Sequence, residues 1–204
     1  YSGDLSMPGM LHMKMLFAGR PHARVKSIDT GKAEAAPGVA AVYTAKDMPV
    51  NEYGLQWQDQ PVLCGPALTP SPLPEGEGQG VRGADVVRFV GDQVAVVVAE
   101  SEAQAAAAVK LIEVEYEDLP VVTDPLEAMK PESPRVHEEI GDSNVCVHYK
   151  IRKGNVDEAF AKADVIVESE YRTPAQEHAY LQPEAGLAYI DEEGRVTVAC
   201  GGQW

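Results

Sequence analysis

Residues Gln93-Val-Ala-Val-Val-Val-Ala99 form a nearly unbroken apolar run. A run of strand length that is apolar at every position, not at alternate ones, needs cover on both faces. Ser101 follows at a helix N-cap position, with Gln104 at the third helical residue, the spacing of a capping box. The alanine-rich stretch from Glu102 to Leu111 predicts a helix. Ile112-Glu-Val-Glu-Tyr-Glu117 then alternates strictly, which buries one face and leaves Glu113, Glu115 and Glu117 to water. If the two strands pair in parallel, the crossover is right-handed.

Shorter elements surround this unit. His12 to Phe17, Arg24 to Ile28 and Val39 to Thr44 read as strands, punctuated by Pro21, by Asp29-Thr-Gly31 and by Pro37-Gly38. Ala33 to Ala36 reads as a helical turn and Val86 to Val90 as a further strand. Thr69 to Gly80 is rich in proline and glycine and has no apolar face to bury, so residues 67–82 are expected to form a flexible surface insertion within a first domain, 1–122. Residues 123–149 carry Pro125, Pro131 and Pro134 without periodicity and read as an extended linker. A second region, 150–204, begins with Asn155 capping a helix from Val156 to Ala163 with Phe160 inward. Three strands follow, Asp164 to Arg172, Glu184 to Ile190 and Arg195 to Cys200, the last two joined by an Asp191-Glu-Glu-Gly194 turn. Neither chain end tapers, so both read as parts of something longer.

A net charge of −15 argues against nucleic acid and anionic membrane surfaces as partners. No run of about eighteen apolar residues is present to span a bilayer. Cys64, Cys146 and Cys200 lie far apart with no C-x-x-C pair. That spacing argues against an iron–sulfur cluster or structural zinc held by this chain and points to a reducing, cytoplasmic compartment. Each cysteine is expected to be a small apolar filler.

The segment Thr173-Pro-Ala-Gln-Glu-His-Ala-Tyr-Leu-Gln-Pro-Glu-Ala185 concentrates polar groups between prolines. Glu177 beside His178 could serve as base or metal ligand, but adjacent residues of a strand point to opposite faces. The plainer reading is that these groups hydrogen-bond backbone and orient a loop. His12 and His22 lack a partner histidine at ligand spacing. Phosphate-cradling patterns and nucleophile elbows are absent. Gln203 follows two glycines at a strand end, where a ligand can approach the backbone closely and an amide can donate and accept.

Many segments, in order, resemble the start of the molybdenum-binding large subunit of the xanthine dehydrogenase and aldehyde oxidase family. They include Leu5-Ser-Met-Pro-Gly-Met-Leu-His12, Pro21-His-Ala-Arg-Val-Lys-Ser-Ile-Asp-Thr30, Arg88-Phe-Val-Gly-Asp-Gln-Val-Ala95, Val114-Glu-Tyr-Glu-Asp-Leu-Pro120, Lys153-Gly-Asn-Val-Asp-Glu-Ala-Phe160 and Gln176-Glu-His-Ala-Tyr-Leu181. The resemblance implies an α+β architecture: an α/β-hammerhead domain followed by the beginning of a molybdenum-cofactor-binding domain. It implies Gln203 as a cofactor-binding residue, hydrogen-bonded to a ligand of the metal, with no catalytic or metal-ligating residue in this chain. The family's glycine-rich cofactor loop and glutamate base lie further along its subunit.

The resemblance also implies a molybdenum–molybdopterin cofactor, of the cytosine dinucleotide type. Iron–sulfur and FAD groups would sit on partner subunits or domains, alongside the remaining part of the molybdenum subunit. The implied reaction is oxidation of a small-molecule substrate, an aldehyde or N-heterocycle, with water as oxygen donor. Gln182 stands where the family usually has glutamate, and Gly19 replaces a common serine. The competing reading is a non-catalytic scaffold or assembly module, motivated by the absence of a base, nucleophile or phosphate loop. On either reading the chain alone is expected to be inactive.

Overall fold

The computed structural model describes residues 1–54, 59–66, 84–138, 141–181 and 184–202. The chain divides into two compact units, Leu11–Val147 and Tyr1–Met10 with His148–Trp204. The segment expected as a flexible insertion lies outside the described residues.

The first unit contains two three-stranded sheets. In one, β5 (Gln93–Ala99) lies between β1 (His12–Phe17) and β3 (Val39–Thr44), antiparallel to both. Ala99 is thereby flanked by His12 and Val39, and Ala95 by Leu16 and Thr44. In the other, β2 (Ala23–Asp29) lies between β4 (Val86–Val87) and β6 (Glu113–Asp118), again antiparallel. Between α1 (Gly31–Glu34) and α2 (Glu102–Val109), the longer helix is the capped one: Ser101 Oγ accepts from Gln104 N–H.

The strand–helix–strand reading holds for the elements but not for their pairing. β5 and β6 enter different sheets, so no parallel crossover forms. The apolar run is explained instead by cover from two layers. Ala95, Val97 and Ala99 pack with Ala33, Ala105, Ala108 and Ile112. Val96 on the opposite face packs with Ala45 and Leu63. Alanine at 105 and 108 lets α2 sit close to the sheet, and both side chains are buried. A third cluster, Ala18, Ala23, Val25, Cys64, Val87 and Val94, joins β5 to the second sheet.

Leu63 has no strand of its own. Asn51 takes the place of a pairing strand: its Nδ2 donates to Leu63 C=O at 2.9 Å and its Oδ1 accepts from Leu63 N–H at 2.9 Å. On β6, Glu113, Glu115 and Glu117 are exposed as expected, and they meet Lys32, Ser27 and Lys26. The strand expected over Val86 to Val90 stops at Val87, because the Asp92 carboxylate accepts from Arg88 N–H (2.5 Å) and Phe89 N–H (3.3 Å) and turns the chain.

Part of the expected linker is folded. Asp124 caps α3 (Pro125–Ala128), its Oδ1 accepting from Leu126 and Glu127 N–H. In the second unit, Asn155 caps α4 (Val156–Ala161) through Glu158 N–H. Phe160 is exposed, not inward, and the expected strand over Asp164 to Arg172 is irregular, with Tyr171 89% exposed. Alternation marks a face that can be buried; among the described residues no strand pairs with this stretch, so its backbone joins no ladder.

Leu63→Ala is expected to destabilise the protein by about 2–5 kcal/mol, as for other buried leucine truncations. Urea unfolding should show a lower midpoint with unchanged slope; an unchanged midpoint would show that Leu63 is not a core residue.

Candidate cofactor-facing strand end

β7 (Gly186–Ile190) and β8 (Val196–Cys200) form an antiparallel hairpin with Gly186 opposite Cys200 and Ile190 opposite Val196. Asp191 organises the turn. Its Oδ1 accepts from Glu193 N–H (3.0 Å) and Arg195 N–H (2.9 Å), and its Oδ2 accepts from Arg195 Nε (2.8 Å) and Thr197 Oγ1 (3.3 Å). The Arg195 backbone bond is the largest cause that holds the Asp191 carboxyl below its ordinary pKa, with the Arg195 side chain adding to it. Gly194 supplies the left-handed residue the turn needs, at φ +81°.

At the far end of the hairpin, β8 runs into Gly201, half-buried, and Gly202, exposed. A glycine at 186 matches this end, since a Cβ there would meet Cys200 Cβ at 3.2 Å. Beside it lies a shallow recess of about 290 Å³ lined by Tyr1, Ser2, Leu5, Ala199, Cys200 and Gly201. Sequence reasoning missed Tyr1, Ser2 and Leu5, and no local pattern reveals a neighbour from the opposite end of the sequence. Gln203, the predicted cofactor-binding residue, lies outside the described residues, as does Gln182.

The Gln176-Glu177-His178 run is exposed and irregular. Glu177 Oε1 accepts from Ala179 N–H at 3.3 Å, and Ala179 adopts φ +51°. Tyr180 OH donates to the Glu184 carboxylate, and that bond raises the phenol's pKa. For Glu177 this is a bond to backbone of the kind the plainer reading describes. His22 Nδ1 lies 2.6 Å from Pro120 C=O, a structural contact in the first unit. Among the described residues, no set of three or more His, Cys, Asp or Glu side chains converges as a metal cage.

Gly201 and Gly202 carry no Cβ, so a ligand could approach the backbone of this strand end closely, and among the described residues no His, Cys, Asp or Glu cage stands there to hold a bare ion. The model of the aldehyde oxidase and xanthine dehydrogenase a/b hammerhead domain matches residues 1–120. The chain belongs to this family. The molybdopterin cofactor-binding domain matches residues 136–204, the part that holds the β7–β8 hairpin.

A probable xanthine dehydrogenase subunit of Bacillus subtilis (strain 168) is 40% identical over all of this chain and 24% of its own length. The nicotinate dehydrogenase large molybdopterin subunit of Eubacterium barkeri is 33% identical over all of this chain and 43% of its own. The solved aldehyde oxidoreductase from Desulfovibrio gigas superposes with a TM-score of 0.76 at 28% identity, over 97% of this chain and 21% of that one. The chain therefore spans less than half the length of these relatives. They are consistent with the α+β architecture expected from the sequence: a hammerhead domain followed by the start of a molybdenum-cofactor domain.

The cysteines divide. Burial, with a contribution from Asp92, pushes the Cys64 thiol up to about 12, whereas Cys146 and Cys200 are exposed and are not the apolar fillers expected. Iodoacetamide at pH 8 should label Cys146 and Cys200 in the folded protein and Cys64 only after unfolding. Because the folded thiol holds its proton above the ordinary 9.0, its contribution to stability is intact below pH 9 and is lost as pH rises toward 12. Native labelling of Cys64 would contradict its burial.

For Asp191 the sign is opposite. Its stabilisation is present above the ordinary 3.8 and is lost as pH falls through the lowered folded value. A carbon-13 NMR titration of this carboxyl should give a midpoint below 3.8; a midpoint at or above it would show that the turn bonds do not persist in solution.

Proposed function

We propose that this chain is the amino-terminal part of the molybdenum-binding large subunit of an oxidoreductase that oxidises an aldehyde or N-heterocycle with water as oxygen donor. The observation that carries the reading is the order of two domains on one chain, a hammerhead domain and then a molybdopterin-binding domain. The hairpin in the second delivers two glycines just ahead of Gln203. When bound, the molybdenum–pterin group, in its cytosine dinucleotide form, supplies the two-electron redox chemistry.

The residues of this chain bind and orient. Asp191 fixes the turn of the hairpin and so the register of β8. Gly201 and Gly202 leave room beside the backbone, and the Gln203 amide would hold the group by a hydrogen bond to a ligand of the metal. Iron–sulfur and FAD groups on partner subunits or domains would take up the electrons, in an assembly placed in the cytoplasm.

The test uses the complete subunit with its partners. Molybdenum by elemental analysis and cytidine nucleotide released on denaturation should both approach one per subunit. Gln203→Ala should lower turnover by about ten- to a hundredfold, the usual effect of losing a group that supports a metal ligand, while most of the molybdenum is retained. A complete subunit that takes up no molybdenum would overturn the reading.

A further inference from the structure

The segment between α3 and the end of the first unit carries Pro131 and Pro134 and no helix or strand, yet side chains hold it at fixed points. Asn144 is the hub. Its Nδ2 donates to Ala128 C=O (3.0 Å) and Pro134 C=O (2.9 Å), and its Oδ1 accepts from Val136 N–H (2.8 Å). One amide thus closes a loop across sixteen positions. Arg135 adds a bond from its guanidinium to Gly141 C=O at 2.5 Å.

Arg88 ties this loop to the sheets. Its Nε donates to Val136 C=O at 3.0 Å, and its Nη1 donates to Val86 C=O at 3.1 Å, in β4. The Arg88 backbone is itself fixed by the Asp92 carboxylate, one residue ahead of β5. The chain of contacts runs from the start of the central strand, through Asp92 and the Arg88 turn, to Val136 and on to Asn144. A guanidinium suits this place because its rigid fork can serve two carbonyls at once, which a lysine ammonium on a flexible stem does poorly.

We infer that residues 124–138 and 141–147 form a strap docked on the first unit, and that Arg88 is the positioning residue that docks it. The ordered part of the first unit then extends to Val147 and does not stop at residue 122. The bonds by which Arg88 does this go to the backbone carbonyls of Val136 and Val86.

Hydrogen–deuterium exchange and limited tryptic cleavage after Arg135 test this in the protein, with α2 as the internal reference for global opening. In the unmodified protein the amides of 126–137 should exchange far more slowly than an unstructured peptide. Arg88→Ala and Asn144→Ala should each speed exchange and cleavage in the strap by about tenfold or more, the loss expected for charge-assisted or buried hydrogen bonds, with α2 unchanged. Arg88→Lys should fall between. A strap that already exchanges at the unstructured rate in the unmodified protein overturns the inference, as does a folded Arg88→Lys or Asn144→Ala variant with wild-type exchange there. The unmodified measurement decides even if Arg88→Ala fails to fold.

Discussion

The two-sided burial of β5 is the constraint on which the first unit depends. Val94, Ala95, Val97 and Ala99 are fully buried, and Val96 nearly so. Each face must find its own cover, because an exposed valine face forfeits the apolar burial that offsets the entropy of ordering the chain. The small residues of α2 and α1 cover one face, and Leu63 with Ala45 covers the other. Small residues dominate because layers packed this closely have no room for larger ones. Cys64 follows from the same packing: a thiol buried in one cluster with Val87 and Val94 keeps its proton because burial disfavours the charged thiolate.

In the second unit the hairpin carries Ile190, Val196 and Val198 in exposed positions, and hydrogen bonds around Asp191 set the geometry of its turn. A glycine pair follows β8, and the opposite glycine at 186 lets the two strands close tightly. The first residues of the chain, Tyr1, Ser2 and Leu5, add a wall beside that end.

Features governed by near neighbours are legible in the residues themselves. Ser101 and Asn155 cap helices because their side chains reach amides three residues on, and nothing else has to be in place. The Asp191–Gly194 turn and the alternation of Glu113, Glu115 and Glu117 are equally local. The same local logic misreads Asp164 to Arg172, where alternation is present but no strand among the described residues pairs with it. It also misreads the proline-bearing stretch after Asp124, where Asn144 and Arg88 supply the order that periodicity could not announce.

The amino-acid sequence alone determined most of the strands and helices, where caps and turns fall, that β5 needs cover on both sides, and which family the ordered motifs resemble. These depend on side-chain type and short spacing. The tertiary structure decided which strands share a sheet, that β5 and β6 part company, that Arg88 reaches Val136, and that Tyr1–Met10 joins the unit of His148–Trp204. Those outcomes are set by contacts between residues distant along the chain, whose free energy depends on how whole layers fit together and leaves no periodic trace in the residues themselves.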